Sequence, residues 1–264
     1  MTVSGIDVSH YQGTINWKKV KDAGVKFALI RIGYGDTLSY PGQIDSMYQR
    51  NYKECKSVGL PVGGYFYSYA TTVEAAKREA QSCLALIKGK QFEYPIYYDV
   101  EEMRIFNTGR TNEIIKAFCQ TLENAGWFAG VYIYRSAAQS YLSRETKQRY
   151  AMAISEYGSK CNYDGQYGVW QNSCTWRVAG INGNVDHDWC YVDYPAVIKK
   201  AGRNGFSSSK PSEPAKHLKT VDEIAREVIR GDWGVGAERK RRLTAAGYDY
   251  NKVQKRVEQL IAQM

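Results

Sequence analysis

The chain has 264 residues, 44% of them hydrophobic, which suffices for one large domain of ~200 residues and a small companion. Its formal net charge of +9 draws it to polyanions (nucleic acid, anionic lipid or the acidic polymers of a bacterial wall) without choosing among them. No apolar run is long enough to cross a membrane, MTVSGIDVSH lacks a secretory leader, and six Cys and three His without CxxC pairs argue against structural zinc.

In chain order, VSGIDVS reads as a strand, INWKKVKDAG as a helix and KFALIRIGYG as a strand. Helical IDSMYQRNYKECKSVG then leads to strand PVGGYFYSYA, TVEAAKREAQSCLALIKG to YPIYYDVE, and TNEIIKAFCQTLENAG to FAGVYIYRS. The helical segments stop at Gly24, Gly59, Gly89 and Gly126, as C-caps do. After Ser136 the alternation degrades into short strands YAMAISEY, YGVWQNS and GNVDHDW, with little helix between them. Alternating βα units imply parallel strands, and eight candidate strands imply a closed barrel with an irregular last third. Cys161, Cys174 and Cys190 fall in that third, where one disulfide is possible; the other thiols read as buried hydrophobes.

Residues 203–219, RNGFSSSKPSEPAKHLK, are rich in Ser, Pro and Lys and read as an exposed linker. Residues 220–264 change character. Val221, Ile224, Ala225 and Val228 make one helical apolar stripe; Val253, Val257, Leu260 and Ile261 make another, and Asp222 and Asp249 fall near helix starts. The fold class is therefore α/β: an irregular TIM-like βα barrel over residues 1–202 with degenerate final strands, plus a small C-terminal three-helix domain over 220–264.

Chemistry concentrates in YPIYYDVEE. Residues i and i+2 of a strand share a side, so Asp99 and Glu101 face together, their Cα atoms roughly 6.5–7 Å apart. Aromatic surroundings and mutual repulsion raise the pKa of one of them. One protonated acid beside one ionised acid is what glycosidic cleavage requires. Asp7 in SGIDVSHYQG and Asp186 in INGNVDHDW also sit at predicted strand ends, so four acids converge on one mouth. Strand alternation turns His10 and His187 away from their acidic neighbours, which marks them as structural.

GIDVSHYQGTINW, YYDVE and GNVDHD, in that order over roughly residues 1–200, resemble the glycoside hydrolase family 25 lysozymes, muramidases of phages, bacteria and some fungi. The resemblance implies a βα barrel that hydrolyses the β-1,4 bond between N-acetylmuramic acid and N-acetylglucosamine, with retention and without a cofactor or metal. It makes Glu101 the general acid, Asp99 the residue that stabilises the substrate N-acetyl group or acts on the anomeric carbon, and Asp7 and Asp186 the flanking acids. Arg31, Tyr67, Tyr132 and Trp170 become substrate contacts. Phe66 and Ala153 stand where many members have His and Trp.

Residues 220–264 resemble the three-helix wall-binding repeat of some phage lysozymes, with Asp232, Trp233 and Arg241 as candidate contacts. The implied partner is bacterial peptidoglycan. A nucleic-acid partner is not expected, because acids offset most of the basic residues of the tail. The expected setting is a phage-type endolysin made in the bacterial cytoplasm, reaching the wall by holin-type export or lysis. A chitinase-like hydrolase of N-acetylglucosamine polymers and a non-catalytic wall-binding protein remain as alternatives.

Overall fold

Eight strands close into one barrel in sequence order: β1 (Val3–Val8), β2 (Phe27–Tyr34), β3 (Val62–Tyr67), β4 (Ile96–Asp99), β5 (Ala129–Tyr134), β6 (Ala151–Ser155), β7 (Val169–Trp176) and β8 (Val185–Cys190). The structure, a computed structural model, describes residues 2–207 and 219–262. Helices α1 (Trp17–Asp22), α2 (Tyr48–Ser57), α3 (Val73–Ile87), α4 (Met103–Phe106) and α5 (Thr111–Asn124) alternate with the first five strands. Gly24, Gly59, Gly89 and Gly126 stand at positive φ just past α1, α2, α3 and α5, the left-handed stop that a Cβ opposes.

The last third departs from the expected pattern in two ways. Two short helices, α6 (Arg135–Tyr141) and α7 (Arg144–Arg149), fill the stretch between β5 and β6. They are hard to see in the sequence because the chain breaks at Leu142, and Ser143 then caps α7 by accepting from the Thr146 amide. The second departure is direction. Neighbours from β1 to β7 pair in parallel, whereas β8 is antiparallel to both β7 and β1. Residues 177–184 join β7 to β8, too few for the parallel crossover of a dozen or more residues, so the chain turns back as a hairpin.

Strand alternation builds two cores. Outward residues such as Ile6, Ile30, Phe66, Tyr98 and Val131 pack beneath the helices. Inward Phe27, Leu29, Tyr97, Val169 and Cys190 fill the floor of the barrel, with Tyr194 from α8 (Tyr194–Lys200). Glycine makes room for the rings: a Cβ at Gly5 would lie 2.3 Å from the Phe27 ring, and one at Gly130 2.6 Å from that of Tyr97. All six thiols are free; Cys190 is buried, Cys161 half-buried and Cys174 exposed, so no disulfide joins them.

The chain divides into two compact units, within residues 1–209 and 210–264. Arg203 to Phe206, expected in the linker, belong to the barrel. Arg203 donates to the Glu123 and Trp127 carbonyls (3.0 and 3.3 Å). Asn204 is fully buried at φ 56°, a conformation asparagine tolerates better than most residues. Its Nδ2 donates to the carbonyls of Phe92 (3.1 Å) and Tyr94 (2.8 Å), and its Oδ1 accepts from the Phe128 amide (2.6 Å). It thereby satisfies the backbone at the feet of β4 and β5, which composition alone does not reveal. Residues 208–218 of the expected linker lie outside the described residues.

In the second unit, α9 (Val221–Ile229), α10 (Gly236–Ala245) and α11 (Tyr250–Ile261) share a small core of Ile224, Ala225, Val228, Leu243, Val253, Val257 and Leu260. Thr220 and Asp249 cap α9 and α11, while Val221 and Ile261 of the expected stripes face solvent.

Asn204→Ala strips three buried hydrogen bonds and is expected to lower barrel stability by about 2–3 kcal/mol, read from the denaturant midpoint. A barrel ended at residue 202 should be weakened at least as much relative to one ended at 207.

Candidate active site

The inward positions nearest the strand ends line an open cavity of about 590 Å³. β1 supplies Asp7, β2 Arg31, β3 Tyr65 and Tyr67, β4 Asp99 with Glu101 just beyond it, β5 Tyr132, β7 Gln171 and β8 Asp186. The four expected acids thus meet in one space. Asp186 arrives there from the other direction: it is the second residue of β8, and because β8 runs backwards its start lies at the mouth, opposite Asp7. The expectation of a strand end is corrected to a strand start.

Each acid is held away from ordinary carboxylate behaviour. Burial, then the charges of Asp186 and Glu102, pushes Glu101 up to about 7. Burial and the Glu101 charge raise Asp99 well above the usual range, against the pull of Arg31, and its Oδ1 is buried without a hydrogen-bond partner. Asp7 is raised by burial, then by the charges of Asp188 and Asp186, and shares a hydrogen bond with Asp186. Asp186 itself is raised by burial, partly offset by that bond. At neutral pH the cluster therefore retains protons that free carboxyls would lose, and Glu101 is poised to release one.

Gln171 organises this side of the cavity. Its Nε2 donates to Asp7 Oδ2 (2.6 Å), while its Oε1 accepts from the Tyr132 hydroxyl (2.9 Å) and the Ser155 hydroxyl (3.0 Å). One amide so joins β1, β5, β6 and β7. Sequence reasoning stopped at its neighbour, and the Trp170 assignment is overturned. Alternation faces Gln171 inward and Trp170 away from the cavity; the Trp170 indole is 6% exposed and donates to the Glu156 carbonyl (2.7 Å). A further miss is Asp188, 1% exposed, with neither carboxylate oxygen hydrogen-bonded. Burial and the Asp186 charge hold it protonated far above the usual range. Its signal was present in VDHDW, the same two-residue spacing as Asp99 and Glu101.

The opposite wall carries the cation. Arg31 Nε donates to Asp45 Oδ2 (2.8 Å), and the His10 amide donates to the same oxygen (3.0 Å). The Arg31 guanidinium touches the His10 ring and lies within 5.3 Å of the Tyr11 ring and 5.8 Å of that of Tyr34. Asp45 sits in a loop where no periodicity could mark it. His10 is corrected from structural to cavity-lining, because β1 ends at Val8 and a 3-10 turn, not a strand, presents it. His187 is buried as expected, between the Ser4 hydroxyl (2.8 Å) and Asn172 (2.6 Å). Tyr67 donates to Glu102 (3.0 Å). Phe66 faces the helices, leaving Tyr65 and Tyr67 as the β3 residues at the cavity.

In the second unit, Asp232 is exposed and paired with Arg230 (3.2 Å), and Arg241 is exposed. Trp233 is half-buried against the small core, donates to Glu227 (3.0 Å) and has the Arg242 guanidinium 5.7 Å from its ring.

A βα barrel whose strand ends crowd an open cavity with carboxyls, one of them held near neutrality, is the framework of a carboxylate-dependent glycosidase. The chain belongs to the glycosyl hydrolases family 25, whose profile matches residues 6–181, and residues 222–261 match the CW_7 repeat. The family match ends before β8, so Asp186 and Asp188 lie beyond it. The chain is 30% identical over 187 residues to the autolytic lysozyme of Clostridium acetobutylicum, covering 70% of this chain and 55% of that one. It superposes with a TM-score of 0.64 and 30% identity on the modular autolysin LytC from Streptococcus pneumoniae, solved in complex with a synthetic peptidoglycan ligand, covering 72% of this chain and 47% of that one. The bacterial lysozyme from Streptomyces coelicolor shares the fold at 21% identity, TM-score 0.60, covering 75% of this chain and 96% of that one. The chain spans about half the length of the first two.

A carboxyl whose native pKa lies above its unfolded value favours the fold fully at acid pH and loses that advantage as pH rises. Asp188→Asn is therefore expected to flatten the fall in stability between about pH 4 and 7, by up to about 1.4 kcal/mol per pH unit. Denaturant midpoints of the two proteins across that range check it.

Proposed function

We propose that the chain is a peptidoglycan hydrolase of the lysozyme type, an N-acetylmuramidase that cleaves the β-1,4 bond between N-acetylmuramic acid and N-acetylglucosamine. The observation that carries this is Glu101, raised to about 7 beside Asp99 in an open, tyrosine-walled cavity. Family membership and the names of the autolytic lysozyme and the autolysin support it.

In this reading Glu101 gives its proton to the glycosidic oxygen as the bond to the anomeric carbon breaks. Positive charge then develops on the sugar ring. Asp99 meets that charge: while Glu101 is protonated and so uncharged, the Arg31 cation favours the Asp99 carboxylate, which stabilises the ring directly or orients the substrate N-acetyl group. Water completes the reaction with Glu101 now acting as base, and the anomeric configuration is retained. The Asp186 charge helps Glu101 hold its proton until it is needed, and Asp7 favours that charge through the hydrogen bond it shares with Asp186. Tyr67 and Tyr132 wall the sugar, and Arg31, locked by Asp45, supplies the balancing cation.

We further propose that residues 220–264 form a wall-binding domain, joined by a linker that follows residue 207. A substrate that is a solid mesh rewards a second weak site, since the tether keeps the barrel near the wall. Asp232, Trp233 and Arg241 are its candidate contacts; Trp233 is half-buried against the small core, so only part of its ring is available to a ligand.

Glu101→Gln is expected to lower the rate of wall hydrolysis by ~10²–10⁴ while the protein still sediments with walls. Mass spectrometry of the wild-type digest should show new muramic acid reducing ends; N-acetylglucosamine ends instead would point to the other bond. Because the acid must carry its proton, the rate should fall as pH rises through about 7, the value to which Glu101 is raised. A chain ended after residue 207 should keep its rate on soluble fragments and lyse cells more slowly; equal lysis with and without the tail contradicts the wall-binding role.

A further inference from the structure

Beside the catalytic cavity lies a second hollow of about 310 Å³, formed by the loop after β2 and by the loop and first turns of α3 after β3. Both spaces open at the strand ends, and they share Tyr69. Tyr69 stands edge-on to Tyr34 (5.8 Å between ring centres, 85°) and is tilted steeply against Tyr67 (5.3 Å, 68°). Tyr67, Tyr69 and Tyr34 therefore cluster where the two spaces meet, and Tyr40, which is 64% exposed, lines the same hollow as Tyr69.

Planar polar groups border these rings. Asp36 is fixed by the Ser39 amide (3.2 Å) and the Ser39 hydroxyl (2.9 Å), with the exposed Arg78 guanidinium 3.8 Å away. Rings flanked by oriented hydrogen-bonding groups suit a pyranose, which offers C–H faces for stacking and hydroxyls around its edge. The volume lies at the low end of small-ligand pockets, ~300–1,000 Å³, room for a single sugar.

We propose that this hollow is a distal glycan subsite, taking one further N-acetylhexosamine of the polysaccharide whose cleaved bond lies over the acids. The inference rests on the glycan-hydrolase reading above. Continuity supports it: a polymer laid across the mouth must leave it, and the Tyr34–Tyr69–Tyr40 side is an exit already shaped and lined for sugar.

The test uses the full chain and peptide-free glycan oligomers in two lengths, one spanning the catalytic cavity and one long enough to reach the hollow. Tyr40 and Arg78 line the hollow and not the catalytic cavity, and both are exposed, so Tyr40→Ala and Arg78→Ala spare the core. The wild type should favour the long oligomer in kcat/KM. Each variant should shrink that long-to-short ratio by ~5–10-fold, chiefly through KM on the long oligomer. A ratio unchanged in both variants overturns the subsite. So does a loss that appears only on peptide-bearing strands, which would assign the hollow to the stem peptide. A wild type that cuts neither oligomer defeats the hydrolase reading itself, and the subsite with it; that result is distinct from active variants with an intact ratio.

Discussion

Carboxyl groups crowded into one partly dry space set the terms for the rest of the barrel. Asp7, Asp99, Glu101 and Asp186 line the cavity and Asp188 lies buried close by, while the one guanidinium among the lining residues, Arg31, is already engaged with Asp45. Full ionisation of such a group is prohibitive, so the acids keep protons. For most enzymes this would be a fault in the core. Here it leaves a proton on Glu101 at the pH where an ordinary glutamic acid has lost it.

Maintaining that crowd requires directional support, and the reversed last strand supplies it. A parallel β8 would bring its C-terminal end to the mouth, displacing Asp186 from its place opposite Asp7 and moving Asp188 with it. The hairpin instead delivers Asp186 at the strand start and Asp188 one inward step deeper. Gln171, on the other arm of the hairpin, fixes Asp7 from below and ties it to Tyr132 and Ser155. The irregular end of the barrel is therefore where the acid network is assembled.

Much of this was legible in the residues. Helix stops at four glycines, strand alternation and the i, i+2 spacing of Asp99 and Glu101 are local signals, and local signals survive folding. What escaped was set by tertiary pairing. The direction of β8 depends on a loop too short for a crossover, a rule the sequence contains but which was overshadowed by the βα rhythm before it. Trp170 attracted notice as an aromatic, yet alternation gave the cavity to Gln171. Asp45 and Asn204 work through backbone and side-chain partners far along the chain, His10 and Arg31 for one, the feet of β4 and β5 for the other, and no window of sequence holds both ends. Arg203 to Phe206 looked like linker because composition cannot distinguish an exposed Asn from one that caps three backbone groups.

The seam between β1 and β8 joins the first strand to the last, and Asp7 faces Asp186 across it. Pairings so distant in sequence are slow to form, since the intervening chain must first be ordered. A nascent chain grown only through β7 already carries Asp99 and Glu101, but it lacks the enclosure and the Asp186 charge that together keep Glu101 protonated. Its acid would lie closer to an ordinary glutamate. Closing the ring thus completes the surroundings that raise Glu101, and a half-made molecule on the ribosome carries the motif without them.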